Sequence, residues 1–162
     1  MTGPVTPEMI TERMKEFGTV EQVRKNRIRI KTVPGRIHDA ITTSHAMLGF
    51  DRLITISTVD NGETLELLYH LIGSHRIIMS LCVDLARDKP AIATVSDLLA
   101  SAGIYERQIH DLFGITFEGH PGLKKLMLNE DWPDNEYPLR KDWKPVPGVF
   151  YGGIKVERNT NA

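Results

Sequence analysis

Three adjoining runs, "RLITISTV" (Arg52 to Val59), "TLELLYHLI" (Thr64 to Ile72) and "RIIMSLCVDL" (Arg76 to Leu85), are separated only by "DNGE" and "GSH". The runs are rich in strand-forming residues and the spacers are turn chemistry of hairpin length. Strands joined by connections that short lie side by side and antiparallel. The spacing predicts an antiparallel meander as the heart of the fold.

Upstream, Thr6 before Pro7 is a helix start, and Ile10, Met14 and Phe17 give a helical stripe that stops at Gly18. "TVEQVRKNRIRIKTV" then alternates Val20, Val23, Ile28 and Ile30 around a polar turn and reads as a hairpin of half-buried strands. Helical spacing returns through Ile37, Ile41, Met47 and Leu48, with Gly49 as the stop. After the meander, Thr94 with Asp97 three residues on approximates a capping box, and a helical region running to Gly114 is predicted, interrupted at Gly103. Beyond Phe117 the prolines at 121, 133, 138, 145 and 147 leave little room for regular elements. These elements predict an α+β fold: an antiparallel or mixed sheet with flanking helices over residues 1–117, then an extended, proline-rich C-terminal tail over 118–162.

Bulk composition excludes several function classes. With 20 Lys and Arg against 21 Asp and Glu there is no basic field to attract nucleic acid or an acidic membrane surface. The apolar-rich piece from Leu65 to Leu85 is broken by His70, Gly73, Ser74, His75 and Arg76, so no membrane span is expected and any membrane association comes through a partner. The opening "MTGPVTPEMITERMKEF" lacks the basic and apolar regions of a secretory signal, and the single Cys82 has no internal disulfide partner; a cytosolic setting is expected. Among apolar neighbours in its strand, Cys82 reads as a buried, inert thiol.

The stretch Tyr105 to Gly122, "YERQIHDLFGITFEGHPG", concentrates the ionisable groups. At about 100° per residue, Tyr105, Ile109, Leu112 and Phe113 fall on one side of a helix and Glu106, Arg107, His110 and Asp111 on the other. Glu106 with His110, and Arg107 with Asp111, are i,i+4 pairs able to satisfy one another. Glu106, His110 and His120 are alternatively acid, base or metal ligands, although no pair of ligands has metal-site spacing. A third reading is a face that docks on another protein. His45, His70 and His75 are isolated and read as satisfied structural histidines. No GxGxxG, Walker A, GxSxG, HExxH or CxxC pattern occurs, so no cofactor site is expected in this chain.

The tail "NEDWPDNEYPLRKDWKPVPGVFYGG" mixes Trp132, Tyr137, Trp143, Phe150 and Tyr151 with Arg140, Lys141 and Asp142. Aromatics and arginine on a segment unable to build a core are the residue types that anchor protein interfaces. A tail wrapped on a partner is expected.

Together, "YERQIHDLFGITFEGHPGLKKLML" and "DWPDNEYPLRKDW" closely resemble the signature of the 30 kDa subunit family of respiratory complex I. That family has relatives in F(420)H(2) dehydrogenases and in membrane-bound, energy-converting nickel–iron hydrogenases. The matching positions are Glu106, Arg107, Asp111, Phe113, Gly114, Ile115, Phe117, Gly119, His120 and Pro121, then Pro138, Leu139, Arg140, Lys141 and Asp142. Gln108 departs from the pattern, which usually has Glu there. Trp132 and the longer spacer before the P-L-R-K-D run look closer to the hydrogenase-like branch.

The resemblance implies a subunit with no cofactor or catalytic residue of its own, in the peripheral arm of a membrane-bound, ion-translocating oxidoreductase. It would pack on the large quinone-reactive or nickel–iron hydrogenase-like subunit and on iron–sulfur subunits, at the cytoplasmic side of the membrane. Iron–sulfur clusters, and nickel–iron or flavin, would belong to those partners. The signature residues would then be interface or structural residues, and His120 is expected to fix the turn from Gly119 to Gly122.

Overall fold

The computed structural model describes residues 5–152. Helix α1 (Pro7–Met14) starts as its sequence dictates: Pro7 occupies the first turn, where its missing donor costs nothing, and the Thr6 hydroxyl accepts the Met9 N–H at 3.4 Å. Ile10 and Met14 bury its inner stripe. Strands β1 (Thr19–Arg24) and β2 (Arg27–Thr32) form the expected hairpin across Lys25 and Asn26. Only β2 is half-buried, through Ile28, Ile30 and Thr32; β1 is a sheet edge whose Val23 is 51% exposed, contrary to the alternation reading. Helix α2 (Ile37–Leu48) ends at Gly49 as predicted, but its stripe is Ile37, Ala40, Ile41, Ser44 and Leu48, with Met47 turned to solvent.

Strands β3 (Arg52–Asp60), β4 (Thr64–Ile72) and β5 (Ile78–Ala86) form the antiparallel meander. The five-stranded sheet has the order β1-β2-β5-β4-β3, and its one parallel seam joins β2 to β5 from Arg27↔Ile78 to Thr32↔Val83. The fold is therefore α+β with a mixed sheet. One face of the sheet, with Ile30, Leu67, Tyr69, Met79 and Leu81, packs into a single core with residues of the three helices.

The other face carries a charge ladder. Glu66 accepts from Arg29 at 2.5 Å and from Lys31 at 2.7 Å, and Lys31 also reaches Asp84 at 2.6 Å. Cys82 is buried on this face, yet its neighbour is polar: Arg29 Nε donates to its Sγ at 3.2 Å, while burial pushes the thiol pKa up. The three isolated histidines are satisfied, His70 between Ser57 and Ser80, His45 on the Phe50 carbonyl, and His75 between the Leu48 carbonyl and the Ile77 N–H.

A second, two-stranded sheet was not legible in advance. Strands β6 (Ala91–Ala93) and β7 (Thr116–Glu118) pair in parallel, with α3 (Ala102–Phe113) as the crossover that parallel pairing requires. The predicted helix start at Thr94 is wrong. Residues 94–101 form turns, and Gly103, expected as an interruption, lies in the first turn of α3. Thr94 and Asp97 make other bonds: the Thr94 hydroxyl is taken by Glu106, and Asp97 pairs with His38 at 2.8 Å.

Candidate docking site

The two ion pairs expected on α3 do not form. Glu106 is fully buried; its carboxylate accepts the Thr94 hydroxyl and, at 2.8 Å, the Val95 N–H. Burial pushes its pKa above the ordinary glutamate value, against the lowering effect of those two donors. Arg107 donates to the Lys124 carbonyl at 3.1 Å and the Lys125 carbonyl at 3.0 Å. One turn on, Asp111 accepts the N–H groups of Leu126 at 2.6 Å, Met127 at 2.8 Å and Leu128 at 3.3 Å. The i,i+4 spacing thus serves one stretch of returning backbone, Arg107 taking its carbonyls and Asp111 its amides.

His120 behaves as expected and does more. Its Nδ1 accepts the Gly122 N–H at 3.0 Å, which fixes the turn, and Nε2 lies 3.0 Å from the Gly103 carbonyl. A nitrogen that accepts a bond carries no proton, so the proton sits on Nε2 and the ring is neutral. The 4.0 Å approach of Nε2 to Glu106 is consequently no ion pair. His110 turns away to the Ile115 carbonyl at 2.9 Å, so of the three candidates only Glu106 and His120 are brought together. Among the described residues, no group of three or more His, Cys, Asp or Glu side chains is placed to hold a metal ion.

The end of α3 meets the second signature segment. Gly114 has φ 73°, and a Cβ there would come within 2.4 Å of the Tyr137 ring, so only glycine closes the helix beneath that ring. The last carbonyls of the helix, otherwise unpaired, accept from the returning chain: Leu112 from the Leu139 N–H at 3.2 Å and Phe113 from Arg140 Nε at 2.8 Å. Leu139 itself is 53% exposed, and Pro138 packs only partly. Next, the Lys141 N–H donates to buried Asp60 at 2.9 Å. Asp60 also accepts from Gly62 and from Arg87, and Arg87 reaches across to Asp142. The Arg87 guanidinium holds the Asp60 carboxyl well below the usual range.

Residues 119–152 have no regular helix or strand, as the prolines predicted, but they fold back on their own chain. Trp132, Trp143 and Tyr151 gather with ring centroids 5.0 to 5.8 Å apart, and Trp132 and Tyr151 are buried. Residues 153–162 of the expected tail lie outside the described residues. The roles of Asp60, Arg87, Thr94 and Val95 were missed. Asp60 alone left a trace, in the Asp-Asn-Gly turn that it caps through Gly62.

The sequence and the fold have relatives among known proteins. The family model described as the respiratory-chain NADH dehydrogenase 30 Kd subunit matches residues 16–147. The chain is 36% identical over 112 residues to the C subunit of the NADH-quinone oxidoreductase of Chloroherpeton thalassium, covering 67% of this chain and 45% of that one. It is 40% identical over 103 residues to the C subunit of the F(420)H(2) dehydrogenase of Methanosarcina mazei, covering 62% of this chain and 65% of that one. It therefore spans about half to two thirds of the length of these relatives. A chain in the structure of the archaeal membrane-bound sulfane sulfur reductase superposes with a TM-score of 0.71 at 27% identity, covering 85% of this chain and 84% of that one. A trypsin-resistant fragment of Nqo5 gives 0.61 at 29%, covering 72% and 98%. With the signature residues joining α3 to the returning chain and the match running from residue 16 to 147, the chain belongs to the 30 kDa subunit family of respiratory-chain NADH dehydrogenase.

Proposed function

We propose that the chain is a hydrophilic, non-catalytic subunit in the peripheral arm of a membrane-bound, ion-translocating, complex-I-like oxidoreductase. It supports assembly of the large subunit, which is quinone-reactive or hydrogenase-like, together with iron–sulfur subunits. Redox groups, iron–sulfur with nickel–iron or flavin, reside in those partners. The relatives are named as subunits of an NADH-quinone oxidoreductase and an F(420)H(2) dehydrogenase, and one structural likeness is to a respiratory membrane complex. No helix among the described residues is long and apolar enough to cross a membrane. In this reading the chain is held at the cytoplasmic side through its partners.

One observation carries the non-catalytic reading: Glu106, Arg107, His110, Asp111 and His120 are engaged with backbone or hydroxyl groups of this same chain. The free-enzyme alternative needs Glu106, His110 and His120 at one centre, and His110 is turned away from the other two to the Ile115 carbonyl. The outward residues here include large apolar ones: Ile104 at 63%, Met127 at 57% and Phe150 at 57% exposure suit a covered surface.

The test is isolation of the native assembly from membranes through a tag on this chain. Co-elution with subunits that carry iron–sulfur absorbance is expected. Elution as a lone soluble chain, with no iron or nickel in any associated fraction, would sink the reading.

A further inference from the structure

Arg140 is held rigid but leaves four of its five N–H donors unused among the described residues. Its Nε is fixed on the Phe113 carbonyl, and its guanidinium carbon lies over the Tyr137 ring, 4.7 Å from the centroid. Among the described residues, Nη1 and Nη2 meet no acceptor. This fork borders a groove of about 740 Å³ whose rings are Tyr137 and Trp143.

Three cations and three carboxylates line the groove, and Arg87, outside the lining, neutralises one carboxylate, which leaves a balance of one positive charge. Of its carboxylates, Asp142 is paired with Arg87, while Glu136, which accepts the neutral Trp143 indole N–H, keeps its charge beside that of Asp88. Of its cations, Lys89, Lys144 and the Arg140 fork have no acidic partner among the described residues. A planar guanidinium with two parallel free donors matches a carboxylate in two-point geometry.

We propose that this groove receives an aspartate or glutamate side chain of a partner protein, bound in two-point fashion by Arg140 Nη1 and Nη2, with Lys89 and Lys144 attracting it. The inference rests on the docking reading above and assigns the chemistry of one contact. A phosphate group fits worse. One net positive charge matches a carboxylate and does not balance a dianion, and a chain with net charge −1 offers no basic field to gather one. A free small carboxylate would leave most of the groove unfilled, whereas a protein segment brings side chains to lie on Tyr137 and Trp143.

The test uses the assembled complex treated with a water-soluble carbodiimide, which joins an amine to an adjacent carboxylate, followed by mass spectrometry of the linked peptides. Lys89 or Lys144 joined to an aspartate or glutamate of another subunit is the expected product. Arg140→Gln should lower that yield and weaken partner retention by about tenfold or more, with Trp132 and Trp143 fluorescence unchanged as evidence that the segment stays folded. Lys89→Glu with Lys144→Glu, both exposed and with no side-chain hydrogen bond or ion pair among the described residues, should also weaken retention. A wild-type complex that stays intact while its lysines link only to this chain's own acids, or while the charge reversals leave retention unchanged, overturns the proposal and spares the docking reading. A wild-type chain that retains no partner overturns both.

Discussion

Asp111 shows how a single side chain can decide the path of a loop. Its Oδ2 accepts three consecutive N–H groups in a buried setting, so removing it strands all three. Asp111→Ala should cost about 2–4 kcal/mol in urea unfolding and strip hydrogen-exchange protection from the amides of residues 126–128. Preserved protection there would show that the loop is held by other contacts.

Glu106 adds a pH dependence of unusual sign. Its pKa is raised by burial, so the folded state binds a proton more readily than the unfolded chain. Its contribution is therefore greatest below the ordinary glutamate range and declines as pH rises through the folded-state pKa. Glu106→Gln, which mimics the protonated acid, should flatten this decline in melting temperature measured against pH. An unchanged slope would assign it to another group.

At the scale of elements, the joint between α3 and the returning chain rests on the absence of a side chain at Gly114. Gly114→Ala meets both the φ of 73° and the Tyr137 ring, and should cost about 1–3 kcal/mol. The steric part should vanish in Gly114→Ala with Tyr137→Ala while the backbone part remains, which a double-mutant cycle measures. In the sheet, fully buried Leu81 on the central β5 should cost about 2–5 kcal/mol on truncation to alanine.

Elements whose information is local were legible in the sequence. The meander follows from short turns, α1 from Thr6 and Pro7, and the end of α2 from Gly49. The small β6–β7 sheet was not, because Ala91–Ala93 gains its strand character only from a partner across the whole of α3. Likewise a helical plot places Arg107 beside Asp111 correctly but cannot show a loop that outcompetes the pair for both.

Across the whole molecule, Asp60 links regions far apart in sequence: the β3–β4 turn, Arg87 after β5, and the signature segment at Lys141. Held below its usual pKa by Arg87, it contributes stability above the ordinary aspartate range and loses it as pH falls. Asp60→Asn should release the 140–142 region first. Limited proteolysis between residues 123 and 144 should quicken while β4 amides keep their exchange protection. Simultaneous loss of both would mean that the sheet and the returning segment open as one unit.

The parallel seam between β2 and β5 also bears on how the chain is born. The N-terminal hairpin finds its sheet partner only in residues 78–83, after α2, β3 and β4 have been made. During synthesis the hairpin and α1 must therefore wait with an open strand edge on β2, and the wait ends when the ribosome releases β5. A pause in translation placed before that point would lengthen the interval in which the nascent chain is open to mispairing, and one placed after it would not.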